Sequence, residues 1–448
     1  MSEDLADERS LAPPLPRPPA PHVVLVTPAY PPFPGGGERY VGALARGLAG
    51  AGWRVTVVTS SATAEADFWN GAPAASDGIE DGVRVIRRPV RPMPGGRPGL
   101  LLWRKGMVLL SALPADQSSW LMRMAGRVPA IDGLAETLAD LDADVIHAFN
   151  GSWESGMVAA YRRAQQTGTP LAVTPFAHLG AREHDRVALN STMNHQLRMM
   201  REAARLLVLT RVEAEGLARY HMWPDRLDVI GSAADAPPAD FRDSPYFAED
   251  HCEARGAYGL YIGRLSYDKG ALHAADAIRA LRRRGRDVAL LLIGSATPEF
   301  KRYRQRLSPT ERAAIRPLGV ISDRDKHAVL SRAKFLMLPS RSDSFGIVLL
   351  EAWSHSVPVI AVRAGGIPGV VDDGANGLLV SFADVDGLAA AAERIVGDEP
   401  FAQRLGRQGH EKLLAHYSWD VVVERVQSHY RQIMLSNYSK GLITLPKV

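Results

Sequence analysis

The chain reads as an α/β protein made of two doubly wound parallel sheets facing a cleft, and three observations predict this. From His22 to about Ser232, short β-rich runs alternate with helical patterns, in the order HVVLVTP, RVTVVTS, VRVIRRP, DVIHAF, LAVTPF, RLLVLT and RLDVIG. Such alternation favours a parallel sheet covered by helices on both faces. The pattern restarts with YGLYIGR, DVALLLIG, IRPLGV, KFLMLP, PVIAV and GLLVSF. Between the two arrays, APPADFRDSPYFAEDHCEARG mixes Pro, Asp, Ser and Gly without a period, which marks a linker.

These breaks divide the chain into a leader over 1–21, a first domain over 22–235, a linker over 236–256, a second domain over 257–418 and a tail over 419–448. The leader carries Asp4, Asp7 and Glu8 ahead of LAPPLPRPPAPH, so it lacks the basic start and apolar run of a secretory signal and reads as disordered with polyproline II character. The helical run from about Trp419 to Leu435 returns, by analogy, to the first domain. Residues 97–127, RPGLLLWRKGMVLLSALPADQSSWLMRMAGR, match neither array. A helix pair packed on the sheet edge is the plain reading; an insertion that binds the acceptor or touches a membrane is the other.

Composition narrows the classes. At 448 residues, 46% hydrophobic and 23% charged, the chain has ample core material. A net charge of +4 does not demand nucleic acid; an anionic substrate or an acidic membrane surface suffices. Cys252 is the only cysteine, which excludes an intrachain disulfide framework and a cysteine-rich zinc site and fits a reducing cytoplasm. No apolar stretch approaches the ~20 residues that span a bilayer, so a cytoplasmic protein, at most peripheral at the membrane surface, is expected.

The residues with chemical promise lie at strand ends. Arg264 and Lys269, in YIGRLSYDKG, flank a strand-to-helix turn, where two cations suit a diphosphate. Further on, RSDSFGIVLLEAW places Asp343 eight residues before Glu351. Eight helical residues rise ~12 Å, so on one helix the two acids would lie two turns apart. That is too far for a retaining glycosidase pair, whose carboxyls are only about 5 to 5.5 Å apart, but it suits the sugar and ribose ends of an extended donor. The backbone of Phe345, Gly346 and Ile347 at the helix start offers N–H groups to diphosphate or sugar oxygens.

In the first domain, Gly35, Gly36 and Gly37 precede an amphipathic helix and let backbone approach a ligand closely. A nicotinamide fingerprint would need glycine at Tyr40, so it is not met. His147 and His178 follow strands and are expected toward the cleft, a structural role for His147 being an equal reading. Tyr30, His147 and Trp153 could line an acceptor pocket. Asp142 with Asp144, and Asp384 with Asp386, form Asp-x-Asp pairs, but the first precedes a buried strand and the second suits a helix cap.

Taken together, PPFPGGGERYVGALARGLAGAGWRVTVVT, GRLSYDKG and PSRSDSFGIVLLEAWSHSVPVIAVRAGGIPGVVDDGANGLLV resemble the retaining GT-B glycosyltransferases of glycosyltransferase family four, also called glycosyl transferases group 1. The resemblance implies a GT-B fold of two Rossmann-like domains. It implies that Glu351 binds the donor ribose, that Arg264 and Lys269 bind the diphosphate, and that Phe345, Gly346 and Ile347 bind sugar and phosphate. Gly36 and Gly37 would approach from the other domain, Val320 or Ile321 would lie by the base, and His178 near the transferred sugar. Neither metal nor other cofactor is implied. The chain departs from the family pattern at Asp343, where Glu is usual and reaches ~1.5 Å further, at Gly369, where Glu is common, and before Asp235, where Asn-Gly is usual.

The expected function is therefore transfer of a hexosyl-type unit from a UDP- or GDP-linked sugar to a hydroxyl of a small-molecule, glycan or lipid acceptor, with retention and without metal. Asp343, Arg264, Lys269 and His178 are the expected catalytic residues. A catalytically silent nucleotide-sugar-binding or scaffold protein is an alternative reading, as is an epimerase or phosphorylase on the same architecture.

Overall fold

The computed structural model describes residues 20–177, 188–247, 256–341 and 343–443, and in it the two arrays form two separate sheets. The first runs, in spatial order, Leu227–Val229, Arg205–Val208, Leu171–Thr174, Val145–Phe149, His22–Val26, Arg54–Ser60, Val83–Arg88 and Gly78–Glu80. Its neighbours pair in parallel except Gly78–Glu80, which turns back as an antiparallel edge. The second sheet is wholly parallel, in the order Ile315–Gly319, Ala289–Ile293, Tyr258–Ile262, Phe335–Leu338, Val359–Val362 and Leu378–Val380.

The strands that open each array, His22–Val26 and Tyr258–Ile262, are buried at every position. Helices cover both faces of a parallel sheet, which is why these strands are continuous apolar runs rather than alternating ones. Each opening strand has a neighbour from either side of the strand order, so the loops leaving their carboxyl ends sit at the topological switch points where ligands of such sheets bind. Those two loops carry the glycine run and the Arg264 turn.

The last helix, Trp419–Ile443, lies against the helix Gly36–Gly50 of the first domain. The contact is close: a Cβ added to Gly47 would stand 2.4 Å from Val423 Cγ2. Trp53 Nε1 donates to Gln427 at 3.3 Å and its ring meets Tyr430 edge-on. Asp235 accepts from Trp419 Nε1 at 2.9 Å, which ties the start of this helix to the end of the first array. Apolar core runs without a break from the first sheet through this helix into the second domain.

Residues 97–127 form the helix pair, Gly96–Ser111 and Ser118–Ala125, with Leu100, Met107, Leu121, Met122 and Ala125 buried against the first domain's second core. The Asp-x-Asp pairs are structural in their geometry. Asp144 accepts from the His22 amide at 2.8 Å, and Asp384 caps the helix Val385–Gly397 through the Gly387 amide at 2.8 Å. No helix among the described residues is long and apolar enough to cross a membrane. The leader up to residue 19, Cys252 and residues 248–255 of the linker lie outside the described residues.

Candidate functional site

The second domain's share of the site begins at the end of Tyr258–Ile262. Gly263 has φ +149° and Gly294, just after the next strand Ala289–Ile293, φ +138°. A Cβ on Gly294 would fall 2.1 Å from the Gly263 carbonyl oxygen, so backbone converges here only because side chains are absent. The turn that follows is held from below. The Tyr261 hydroxyl, on a fully buried ring, reaches the carbonyl oxygens of Arg264 at 2.9 Å and Lys269 at 3.1 Å. One hydroxyl thus sets the spacing of the two cations, and burial raises its pKa so that it stays protonated.

The acidic motif departs from its expected geometry. The helix spans only Ile347–Ser354 and starts at Gly346, whose φ of +80° glycine tolerates. Asp343 therefore sits in the preceding loop and Glu351 within the helix, so the two acids are not two turns apart on one face. Each has its own cation. Lys269 Nζ lies 2.9 Å from Asp343 Oδ1, and Lys326 Nζ lies 2.8 Å from Glu351 Oε1. Lys326 also pairs with Asp323 at 2.8 Å, and Asp323 with Arg39 of the first domain at 3.3 Å.

Across the cleft, the glycine run opens the helix Gly36–Gly50. Gly36 stands opposite Ile347, close enough that a Cβ would touch its Cδ1 at 3.6 Å. Gly37 packs on Phe176, whose ring a Cβ would meet at 3.2 Å. Phe176 holds φ +49° and Asn150 φ +67°, left-handed conformations that cost energy for a bulky side chain and concentrate at functional sites. Gly36, Gly37, Glu38, Tyr40, Asn150, Phe176 and Ser232 from this side and Lys269, Asp343, Phe345, Gly346 and Ile347 from the other enclose one cavity of about 390 Å3. Desolvation pushes the Glu38 carboxyl, in the first-domain wall of this cavity, up to about 7.

The structure thus brings together Gly36, Gly37, Lys269, Asp343, Phe345, Gly346 and Ile347. Glu351 is buried beneath them, only 8% exposed. Arg264 stands apart from the cavity wall, its half-exposed side chain 3.9 Å from Glu65 across the cleft. Ile321 is packed partly on the core, while Val320 is 79% exposed on the loop after Ile315–Gly319. His178 lies outside the described residues.

The three proposed acceptor residues do not line the cavity. His147 is wholly buried, and its ring nitrogens share hydrogen bonds with the hydroxyls of Tyr430 at 2.5 Å and Thr174 at 2.8 Å. Burial drives its pKa down to about 3, so it sits neutral as a staple between sheet and final helix. Tyr30 is buried in the first core, and Trp153 packs on Phe68 with ring centroids 4.6 Å apart. Strand-end position alone does not decide which way a side chain turns.

Lys326, Glu38 and Tyr261 escaped the sequence reading. Glu38 directly follows the glycine run at a helix start, which is the signal that could have found it. Lys326 gives no such signal, because its partner is 25 residues away. Gly369 acquires a reason: a Cβ there would lie 3.0 Å from the Thr210 Cβ of the first domain, so its lack of a side chain permits the close approach.

Two doubly wound domains, with a cationic turn and an acidic motif on one and a glycine-opened helix on the other, define a GT-B glycosyltransferase. The family described as Glycosyl transferases group 1 matches residues 253–412, the Glycosyl transferase 4-like domain matches 35–233, and the chain belongs to this family of enzymes. Among relatives, Alpha-D-kanosaminyltransferase of Streptomyces kanamyceticus is 25% identical over 371 residues, covering 79% of this chain and 90% of that one. Glycogen synthase of Mycobacterium tuberculosis is 32% identical over 171 residues, 38% of this chain and 41% of its own, so the match spans under half of that relative. Sucrose-phosphate synthase from Thermosynechococcus elongatus superposes with a TM-score of 0.69 at 22% identity, over 93% of this chain and all of that one.

Proposed function

We propose that this glycosyltransferase moves a hexosyl-type unit from a UDP- or GDP-linked sugar to an acceptor hydroxyl with retention of anomeric configuration and without a metal. The observation that carries the reading is the pairing of Lys269 with Asp343 in the wall of one cavity, opposite Gly36 and Gly37. The diphosphate lies at the Lys269 turn and the amino end of the helix Ile347–Ser354, where backbone N–H groups and the helix dipole add positive character. Glu351 takes the ribose: Lys326 holds its Oε1, while Oε2 is buried with no hydrogen-bond partner among the described residues, a vacancy suited to a hydroxyl donor. Asp343 orients a sugar hydroxyl. The bond from C1 to the phosphate oxygen breaks, the acceptor oxygen bonds to C1 on the same face, and the departing phosphate oxygen takes the acceptor's proton. Lys269, with Arg264 swinging in from the cleft mouth, stabilises the charge on the leaving group. The acceptor is a small molecule, a glycan or a lipid, approached from the Glu38 wall, and the protein works in the cytoplasm.

A panel of UDP- and GDP-sugars, read by release of nucleoside diphosphate and by NMR of the anomeric proton in the product, tests this. Arg264→Ala should lower turnover at least ~100-fold if one electrostatic contact to the leaving group contributes ~2.7 kcal/mol. Near-normal turnover removes Arg264 from the reaction, an inverted anomeric signal removes retention, and activity lost on chelation and restored by a divalent ion removes metal independence.

A further inference from the structure

We propose that the outer face of the helix pair Gly96–Ser111 and Ser118–Ala125 docks on an anionic lipid surface. Five large apolar side chains crowd there between positions 101 and 120: Leu101 at 53% exposed, Leu102 at 69%, Leu109 at 71%, Leu113 at 50% and Trp120 at 61%. Elsewhere such residues are scattered along the chain. At 3.6 residues per turn, Leu101, Leu102 and Leu109 fall on one arc of roughly 100°, opposite the buried Leu100 and Met107, and Leu113 follows two residues past the helix end.

This arc cannot turn inward. Arg104 donates to the Ser152 carbonyl at 2.6 Å, Trp103 Nε1 to that of Met124 at 3.2 Å, and Ser111 is bonded to Asn194 through two contacts. These bonds fix which face meets solvent. They also seat the helix beside the loop that carries Asn150 into the cleft, on the acceptor side.

Charge selects the occupant. Arg97, Lys105, Arg123 and Arg127 are exposed around the leucines, and neither helix contains Asp or Glu. Asp116, in the connection between them, is engaged with the Ser118 amide at 2.9 Å. Arg123 lies 5.2 Å from the Trp120 ring centroid. An apolar stripe flanked by basic residues and a tryptophan is the pattern that sits in the headgroup region of an acidic bilayer. A second copy of the chain would bring like charges together, which opposes self-association through this face.

Flotation of the full chain with vesicles tests the proposal without reference to turnover, so its failure is separate from that of the proposed reaction. The wild type should float at low salt with vesicles of phosphatidylglycerol and phosphatidylcholine in equal parts, less at high salt, and not with phosphatidylcholine alone. Leu102→Glu with Leu109→Glu should cut binding at least ~10-fold while leaving the melting temperature unchanged, both sites being exposed. Arg97→Gln, Lys105→Gln and Arg123→Gln together should weaken it about 100-fold, at roughly fivefold per basic residue. Wild-type protein that stays in the aqueous phase with the mixed vesicles, or variants that float as well as the wild type, would overturn it. So would a solution dimer that the leucine variant splits.

Discussion

Lys326 Nζ lies 2.8 Å from Glu351 Oε1, both side chains at most 11% exposed, and the same ammonium reaches Asp323, which meets Arg39 of the opposite domain. A buried carboxylate of the second domain is thereby linked by three ion pairs to the helix Gly36–Gly50 of the first. The inner pair adds little net stability, since desolvating two charges offsets their attraction. Its consequence is positional: Lys326 fixes one oxygen of Glu351, while the other has no hydrogen-bond partner among the described residues.

Lys326→Met should therefore destabilise the protein by about 3 kcal/mol, because it leaves Glu351 charged and buried. Urea unfolding measures this. Glu351→Gln should cost less stability yet weaken binding of nucleoside diphosphate in a calorimetric titration. If Lys326→Met unfolds at the wild-type midpoint and binds equally well, the pair has neither role.

Tyr261→Phe removes the hydroxyl that holds the Arg264 and Lys269 carbonyls. A loss of about 1 kcal/mol in stability is expected from the hydrogen bonds. The larger effect should appear in turnover with donor, since a loosened turn misplaces both cations. Equal kcat in the two proteins would show that the turn holds its shape unaided.

His147 predicts a pH dependence of folding. Its folded pKa of about 3 lies below the ordinary value of 6.5, so the unfolded chain binds the proton first as pH falls. The stability it contributes is present above pH 6.5 and is lost below it, by about 1.4 kcal/mol per pH unit. The difference in unfolding free energy between wild type and His147→Gln, followed from pH 7 to pH 5, should show this slope. A constant difference would mean that His147 is not buried as a neutral ring.

Gly369→Glu installs the side chain common in the family, and its Cβ would stand 3.0 Å from the Thr210 Cβ. It should cost about 1–3 kcal/mol, or spread the domains to relieve the contact. Small-angle scattering detects the second outcome as a larger radius of gyration. No change in either quantity would leave the absence of a side chain at 369 without a role.

Local pattern was enough for the two arrays of strands, the glycine-opened helix and the basic turn, because each rests on a period or a turn chemistry contained in a few neighbouring residues. The family signature around Asp343 and Phe345 was legible for the same reason. The helix there proved shorter than its apolar run implied, since Gly346 in the left-handed region starts it late. What local pattern could not decide was the direction of single side chains in the first domain. His147, for which a structural role was an equal reading, is buried because Tyr430, 283 residues away, meets it there, while Tyr30 is buried and Trp153 packs on Phe68.

By itself the sequence determined two parallel sheets, their switch-point loops and the residue types that crowd those loops, since covalent neighbours dictate them. The tertiary structure decided which carboxylate takes which lysine, that Glu38 enters the cleft wall, and that Arg264 leans across to Glu65 rather than lying in the cavity wall. Such pairings depend on distances between elements far apart in the chain, and no local spacing encodes those distances until the two domains have packed.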